Sequence, residues 1–104
     1  MAKQETSGNT RSAEQTRVRR VTPSLFKVLM HNDDYTTMEF VIEILMRVFR
    51  KSEAQATKIM LAVHNEGVGV CGTYTAEVAE VKVDTVHRLA RAAGFPLRCS
   101  MEGV

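Results

Sequence analysis

Apolar residues recur along the chain with two different periods, and the shorter period predicts three β-strands. Residues 25–30 form a short, mostly apolar run that suits a strand, in which Phe26, Val28 and Met30 share one face. Residues 97–101 alternate apolar and polar positions and predict a last strand. Residues 68–74 are rich in Val, Gly and Tyr and predict a strand between these two, with a bulge at a glycine. The inward faces of the first and last strands are predicted to carry Phe26, Val28, Met30, Leu97, Cys99 and Met101.

The longer period, 3.6 residues, predicts three amphipathic helices within residues 40–49, 56–63 and 78–90. Helices of this kind must bury their apolar stripes against one face of a small sheet. The order β-α-α-β-α-β therefore predicts an α+β, two-layer domain, with a three-stranded antiparallel sheet covered by three helices. The predicted stripes are Phe40, Val41, Ile44, Leu45, Val48 and Phe49, then Ala56, Ile59, Met60 and Val63, then Val78, Val81, Val86, Leu89 and Ala90.

Polar residues and glycines at the ends of these stripes predict where the helices begin and end. Thr36 with Glu39, and Ser52 with Gln55, have the spacing of a capping box, in which two orphan amides are satisfied. Glycine adopts the left-handed conformation that commonly terminates a helix. Gly67 is predicted to end the second helix, Thr75 to cap the third and Gly94 to end it.

Length and charge narrow the class of protein. The 104 residues suffice for one compact domain, and the net charge of +2 favours no particular partner. No apolar run has the roughly 18 residues of a membrane span, and the N-terminus lacks the apolar core of a secretory signal. We therefore expect a cytoplasmic protein without a membrane partner, in which Cys71 and Cys99 are reduced thiols.

Charge is concentrated at the N-terminus. Residues 1–20 hold five Lys and Arg residues against two Glu, with almost nothing that could join a core. We expect residues 1–22 to form a flexible basic tail and residues 23–104 to form the folded domain. Such a tail is either a solvated end or an arm that engages a partner. A nucleic-acid partner is disfavoured, because the folded part has no aromatic stacking platform on a strand.

The segment Asn32-Asp33-Asp34 carries more side-chain oxygen than a helix cap requires. It precedes the first helix, while Met60, Val63 and His64 share one face of the second helix. If the two helices are neighbours, an apolar wall forms between them, with the acidic junction and His64 at its rim. Three interpretations stay open at this point: turn chemistry, a metal site built from His31, Asp33, Asp34 and His64, or a seat for an ammonium group.

Four segments resemble the ClpS family of protease adaptors: "NDDYTTMEFV", "IMLAVHNEG", "CGTYTAEVAEVKV" and "FPLRCSMEGV". The resemblance runs from about Pro23 to the C-terminus. It implies an adaptor, not an enzyme, that binds N-degron substrates by a free N-terminal Phe, Tyr, Trp or Leu. It further implies delivery to a ClpA-type AAA+ unfoldase coupled to ClpP, without a cofactor, a metal or nucleic acid. We expect a monomer. The alternative is a general protein-interaction domain without a pocket for an N-terminal residue.

The resemblance also implies roles for single residues. Asn32, Asp34 and His64 are similar to the acceptors that hold the substrate's α-amino group, and Asp33 shapes the rim. Met38 is similar to the gate that disfavours side chains branched at Cβ. The implied apolar pocket consists of Thr36, Met38, Val41, Met60, Val63 and Leu97, the implied unfoldase-docking residues are Glu77 and Lys82, and the implied engaging arm is residues 1–22.

Two positions depart from the family pattern. Many relatives have proline where this chain has Thr37, and a small apolar residue where it has His31. Proline at the start of a helix pre-sets φ but is not required there. We therefore expect the first helix to form with Thr37, and His31 to add a titratable group near the rim.

Overall fold

The computed structural model describes residues 23–104, so the predicted tail of residues 1–22 lies outside the described residues. The element order is β-α-α-β-α-β, as the sequence predicts. The elements are β1 (Leu25–His31), α1 (Met38–Arg47), α2 (Glu53–Glu66), β2 (Val68–Thr75), α3 (Ala76–Ala92) and β3 (Arg98–Gly103).

The three strands form one antiparallel sheet in the order β2-β1-β3. The central strand β1 places Met30 opposite Gly69 on one side and Cys99 on the other. Against β2 the register shifts, because Val28 pairs with Gly72 whereas Leu29 pairs with Val70. The extra residue is Cys71, immediately before a glycine, so the predicted bulge is present. Since β1 has a neighbour on both sides, it is the most constrained strand, and the candidate site begins where it ends.

The core lies between the helices and the sheet face that carries Val28 and Met30, both of which have no exposed surface. The predicted stripes of α1 and α2 face this core, with Ile44 and Ala56 fully buried. Burial of this kind contributes about 25 cal/mol for each Å² of apolar surface removed from water. Cys71 and Cys99 are free, buried thiols in the same core. A hydrogen bond with Cys99 and burial both raise the pKa of the Cys71 thiol, which keeps it protonated.

The predicted stripe of α3 is wrong at its N-terminal end. Val78 and Val81 are 44% and 65% exposed, whereas Ala79, Val86 and Ala90 are fully buried. Successive helical residues rotate by about 100°, so Val81 lies roughly 200° from Ala79 and cannot share its face. The apolar residues of α3 therefore belong to two faces, one in the core and one in solvent.

The helix boundaries test the predicted caps. Ser52 and Gln55 form the predicted capping box, with Ser52 N to Gln55 Oε1 at 3.1 Å and Gln55 N to Ser52 Oγ at 3.2 Å. Gly67 ends α2 in the left-handed conformation, with φ of 87°. Gly94, with φ of 85°, directly follows the cap of α3, as predicted. Thr75 occupies the N-cap position of α3 but makes no side-chain cap hydrogen bond.

The capping box predicted for α1 is wrong. The N-cap is Thr37, whose Oγ1 accepts a hydrogen bond from the Phe40 amide at 3.2 Å. Thr36 does not form the box, because its amide donates to Asp33 and not to Glu39, and its hydroxyl also donates to Asp33. The expectation that α1 forms without proline is confirmed, and the threonine supplies a hydrogen bond that proline could not.

Within residues 23–104, no helix combines the length and the apolar character that crossing a membrane requires.

Candidate functional site

A cavity of about 240 Å³ opens between the β1–α1 junction and α2. It brings together every residue predicted for recognition except Leu97. Its lining combines five polar residues with four apolar ones. The lining consists of Asn32, Asp33, Asp34, Thr36, Met38, Val41, Met60, Val63 and His64.

The backbone brings the two halves of this lining together. β1 ends at His31, and the next amide, that of Asn32, donates to the carbonyl of Gly67 at 3.0 Å. Gly67 is also the cap of α2, so the end of the central strand is tied to the end of that helix. His64, one turn before the cap, consequently lies beside residues 32–34.

Asp33 organises the turn that follows. Its Oδ1 accepts hydrogen bonds from the amides of Tyr35 and Thr36 at 2.8 and 2.7 Å, and its Oδ2 accepts one from the Thr36 hydroxyl at 2.8 Å. Burial alone raises the pKa of this carboxyl, but the hydrogen bonds, together with the charge of Arg91, lower it below its usual value. Asp33 is therefore ionised at neutral pH, and its oxygens are already occupied. Turn chemistry accounts for this one residue of the acidic segment.

Three further polar residues line the opening and form a polar lip, which consists of Asn32, Asp34 and His64. All three are exposed, and no other residue in 23–104 makes a hydrogen bond with their side chains. A carboxylate, an amide oxygen and a neutral imidazole nitrogen all accept hydrogen bonds. Three such acceptors at one opening can bind a group with several N–H donors and a positive charge.

The other four lining residues are apolar. Val41, Met60 and Val63 are 6%, 7% and 3% exposed, so the wall is part of the core itself. Met38, the first residue of α1, is 46% exposed and stands at the opening. The cavity thus has a fixed apolar interior and one flexible, unbranched side chain at its mouth.

Two predicted site residues lie elsewhere. Leu97 is 1% exposed, belongs to the central core and is absent from the cavity lining. Its place beside β3 in the sequence did not reveal that its side chain points into the layer between sheet and helices. His31, which directly precedes Asn32, does not line the cavity either, and its Nε2 lies 2.6 Å from Ser100 Oγ on the neighbouring strand. Burial and the charge of Arg98 lower the pKa of His31.

The four residues considered as metal ligands are not all brought together, because the side chain of His31 is directed toward β3. Among residues 23–104, no three His, Cys, Asp or Glu side chains are grouped so that they could hold a metal ion.

The two residues predicted for docking differ in their surroundings. Glu77 is exposed and lines a shallow groove with Val78, Val81 and Lys82. Lys82 also faces inward: its Nζ donates to the carbonyl of Val48, the C-cap of α1, at 2.8 Å. The same ammonium lies 5.2 Å from the ring centre of Tyr74 and 5.9 Å from that of Phe49. Lys82 therefore joins α3 to the end of α1, whatever else it contacts. Sequence spacing gave no signal of this bond.

Comparison with known proteins relates this geometry to one family. Residues 21–100 match the family described as "ATP-dependent Clp protease adaptor protein ClpS". The "ATP-dependent Clp protease adapter protein ClpS" of Desulfatibacillum aliphaticivorans is 70% identical over 80 residues, which are 77% of this chain and 77% of the relative. The protein of the same name from Lawsonia intracellularis is 60% identical over 90 residues, 86% of this chain and 81% of the relative.

A solved structure has a similar fold. It is "The structure of Agrobacterium tumefaciens ClpS2 bound to L-phenylalaninamide", with a TM-score of 0.77 and 38% sequence identity. The similarity covers 80% of this chain and 100% of the solved chain, so it spans nearly all of the residues described above.

Proposed function

The chain belongs to the ClpS family of adaptor proteins for ATP-dependent Clp proteases, and from this premise we propose that its cavity binds the free N-terminal residue of a protein substrate. The preferred N-terminal residues are Phe, Tyr, Trp and Leu. The protein delivers such N-degron substrates, as a monomer, to a ClpA-type AAA+ unfoldase that feeds ClpP. The observation that carries this proposal is the joining of an acceptor-lined lip to an apolar interior in one cavity.

The lip suits an α-amino group. An N-terminal ammonium carries one positive charge and three N–H donors, and Asn32, Asp34 and His64 supply acceptors of three kinds. A hydrogen bond to a charged group contributes about 1.5–3 kcal/mol. Acetylation of the terminus removes the charge and two of the donors, so the acetylated chain loses most of this interaction.

The interior suits a large apolar side chain. A cavity of about 150 Å³ is known to hold a benzene molecule, and this one has about 240 Å³. Burying a Phe or Leu side chain contributes about 1.5–3 kcal/mol. After association entropy is subtracted, the sum is compatible with dissociation constants from roughly micromolar to tens of nanomolar. The related structure with L-phenylalaninamide supports this proposal, because that ligand combines a free amino group with a phenyl ring.

Met38 sets the selectivity among apolar side chains. The lip fixes the substrate's Cα at the mouth, so the substrate's Cβ must pass the side chain of Met38. Phe, Tyr, Trp and Leu pass with a slim methylene, whereas Ile and Val place a branch in the narrowest part of the opening.

Delivery uses the opposite end of the molecule. The exposed groove of Glu77, Val78 and Val81 on α3 presents an acid beside two uncovered valines, which suits the docking of a protein partner. The apolar face that the sequence misassigned to the core is thus the surface for the unfoldase. The tail of residues 1–22 is proposed as the engaging arm on its position in the chain.

The decisive experiment is fluorescence anisotropy with two labelled peptides of identical sequence that begin with Phe, one with a free amino group and one N-acetylated. The free peptide is expected to bind and the acetylated peptide to fail. The Asp34→Ala variant should lose affinity for the free peptide, while Asp84→Ala, on the exposed side of α3, should retain it. Equal binding of both peptides would favour the alternative of a general protein-interaction domain.

Delivery is tested separately. A reporter protein beginning with Phe should be degraded by a ClpA-type unfoldase with ClpP only when this protein is present, and Glu77→Ala should slow that degradation without changing peptide affinity. Analytical ultracentrifugation of the purified protein tests the proposed monomeric state, and a sedimenting mass of two or more chains would contradict it.

A further inference from the structure

We propose that Arg91, which does not line the cavity, is a positioning residue for recognition: it holds the segment between α3 and β3 against the start of α1. This proposal rests on the proposed function of the cavity. Three observations carry it, namely two hydrogen bonds of Arg91, one ring contact of Phe95, and the charge opposite Asp33.

The first observation is the pair of hydrogen bonds. Arg91 lies in the last turn of α3, and its Nη1 donates to the carbonyls of Phe95 and Leu97 at 3.0 and 2.9 Å. The segment 95–97 is also held at each end. The Phe95 amide donates to the Ala90 carbonyl at 2.8 Å, and the side chain of Leu97 is fully buried. Arg91 therefore holds both ends of a short connection, which the Phe95 amide and the buried Leu97 side chain also anchor.

The second observation links this segment to the cavity. The ring of Phe95 packs on the ring of Phe40, with centroids 4.9 Å apart and planes tilted by 52°. Phe40 belongs to the first turn of α1, and its amide donates to the cap Thr37. Met38 and Val41, which line the cavity, lie on either side of it in sequence. A shift of the Phe95 ring would consequently displace Phe40, and with it Met38 at the mouth and Val41 in the apolar wall.

The third observation concerns the polar residues of the lining. The positive charge of Arg91 is close enough to Asp33 to help lower the pKa of that carboxyl. A guanidinium keeps its charge at every relevant pH, so this attraction is permanent. Asp33 in turn fixes the turn that carries Asn32 and Asp34. Arg91 thus holds the segment that packs on the first turn of α1, and its charge attracts the carboxylate that organises the turn of residues 32–34.

The test compares Arg91→Met with Arg88→Met. Arg88 lies one turn earlier on the same helix, and its contacts are an exposed Asp84 carboxylate at 3.6 Å and the Thr85 hydroxyl. In the anisotropy assay with the free Phe peptide, Arg91→Met should weaken binding by about fivefold or more, which corresponds to about 1 kcal/mol. Arg88→Met should bind as the wild type does. If the wild type itself does not distinguish the free from the acetylated peptide, the proposed function fails and not this inference alone.

A second readout separates positioning from general stability. Carbon-detected NMR titration of the Asp33 carboxyl should give a higher pKa in Arg91→Met than in wild type, and an unchanged one in Arg88→Met. Wild-type affinity or an unmoved Asp33 titration in folded Arg91→Met would overturn the proposal. If Arg91→Met does not fold, Arg91→Lys replaces it. Lysine keeps the charge but lacks the rigid planar guanidinium that bonds both carbonyls, so peptide affinity should fall while the pKa of Asp33 stays at its wild-type value. Wild-type affinity in Arg91→Lys would then overturn the proposal.

Discussion

Replacing Asp33 isolates the contribution of the turn that supports the polar lip. Asp33→Ala removes the acceptor of three hydrogen bonds, two from backbone amides and one from a hydroxyl. Substituting alanine for an aspartate that caps backbone amides costs about 0.5–2 kcal/mol. Because Tyr35 is exposed and its amide can turn to water, we expect a loss in unfolding free energy of about 1–2 kcal/mol, not the sum of three full hydrogen bonds. The melting temperature should fall by roughly 4–8 °C for each kcal/mol.

Asp33→Asn separates charge from hydrogen bonding. The amide oxygen can still accept the two backbone bonds, so the loss of stability at pH 7 should be about half that of Asp33→Ala. The folded-state pKa of Asp33 is depressed, so its ionised form contributes stability above the unfolded value, near pH 4. That contribution is lost as the pH falls through the lower, folded-state pKa. The wild type and Asp33→Asn should therefore differ at pH 7 and converge in acid.

The assay is urea denaturation followed by far-ultraviolet circular dichroism at pH 7 and at about pH 3. Asp84→Asn serves as the matched control, because Asp84 is exposed and its ion pair with Arg88 is 3.6 Å long. Exposed pairs of this kind contribute about 0–1 kcal/mol. If Asp33→Ala were as stable as Asp84→Asn, or if the wild type and Asp33→Asn stayed apart by a constant amount down to pH 3, the role given to Asp33 would be wrong.

Three further predictions concern the cavity and its supports. Met38→Ala should improve the affinity for peptides that begin with Ile or Val by at least about tenfold relative to peptides that begin with Phe, as measured by anisotropy. If the variant still excludes Ile and Val peptides, Met38 is not the gate. His64→Ala removes one acceptor of the lip and should weaken binding of the free Phe peptide by about tenfold or more. Wild-type affinity in this variant would exclude His64 from the lip. Lys82→Met loses a charge-assisted hydrogen bond and two ring contacts, so its unfolding free energy, measured in urea, should fall by about 1–3 kcal/mol. Glu77→Gln should leave the unfolding free energy unchanged. If Lys82→Met were as stable as Glu77→Gln, Lys82 would have no structural role and would remain a docking residue only.

The sequence predicted the fold well because local and long-range signals agreed. The α2 cap is an example: Ser52 and Gln55 have the capping spacing, and nothing else nearby competes for their hydrogen bonds. At α1 the same spacing misled, because Asp33 takes both donors of Thr36. A spacing rule considers one pair of residues, whereas in the folded chain every donor and acceptor within reach competes for the same hydrogen bonds.

The candidate site was predicted for a different reason. Residue spacing predicted an apolar wall with an acidic rim, family resemblance supplied the role of each residue, and nine of the ten residues lie around one opening. Leu97 lies in the central core and not in the cavity lining. Its position next to a strand in the sequence did not indicate the layer into which its side chain points. Arg91 was missed altogether, since its partners are backbone carbonyls and leave no pattern of residue types.

The hydrogen bond from the Asn32 amide to the Gly67 carbonyl has a consequence for the kinetics of recognition. It ties the residue that follows the sheet's middle strand to a helix terminus, so the acceptors stand in place before any peptide arrives. A preassembled receptor spends little ordering entropy on capture. Association should then be limited by how often a chain end meets the opening in the correct orientation, and the lifetime of the complex should depend on the side chain that fills the interior.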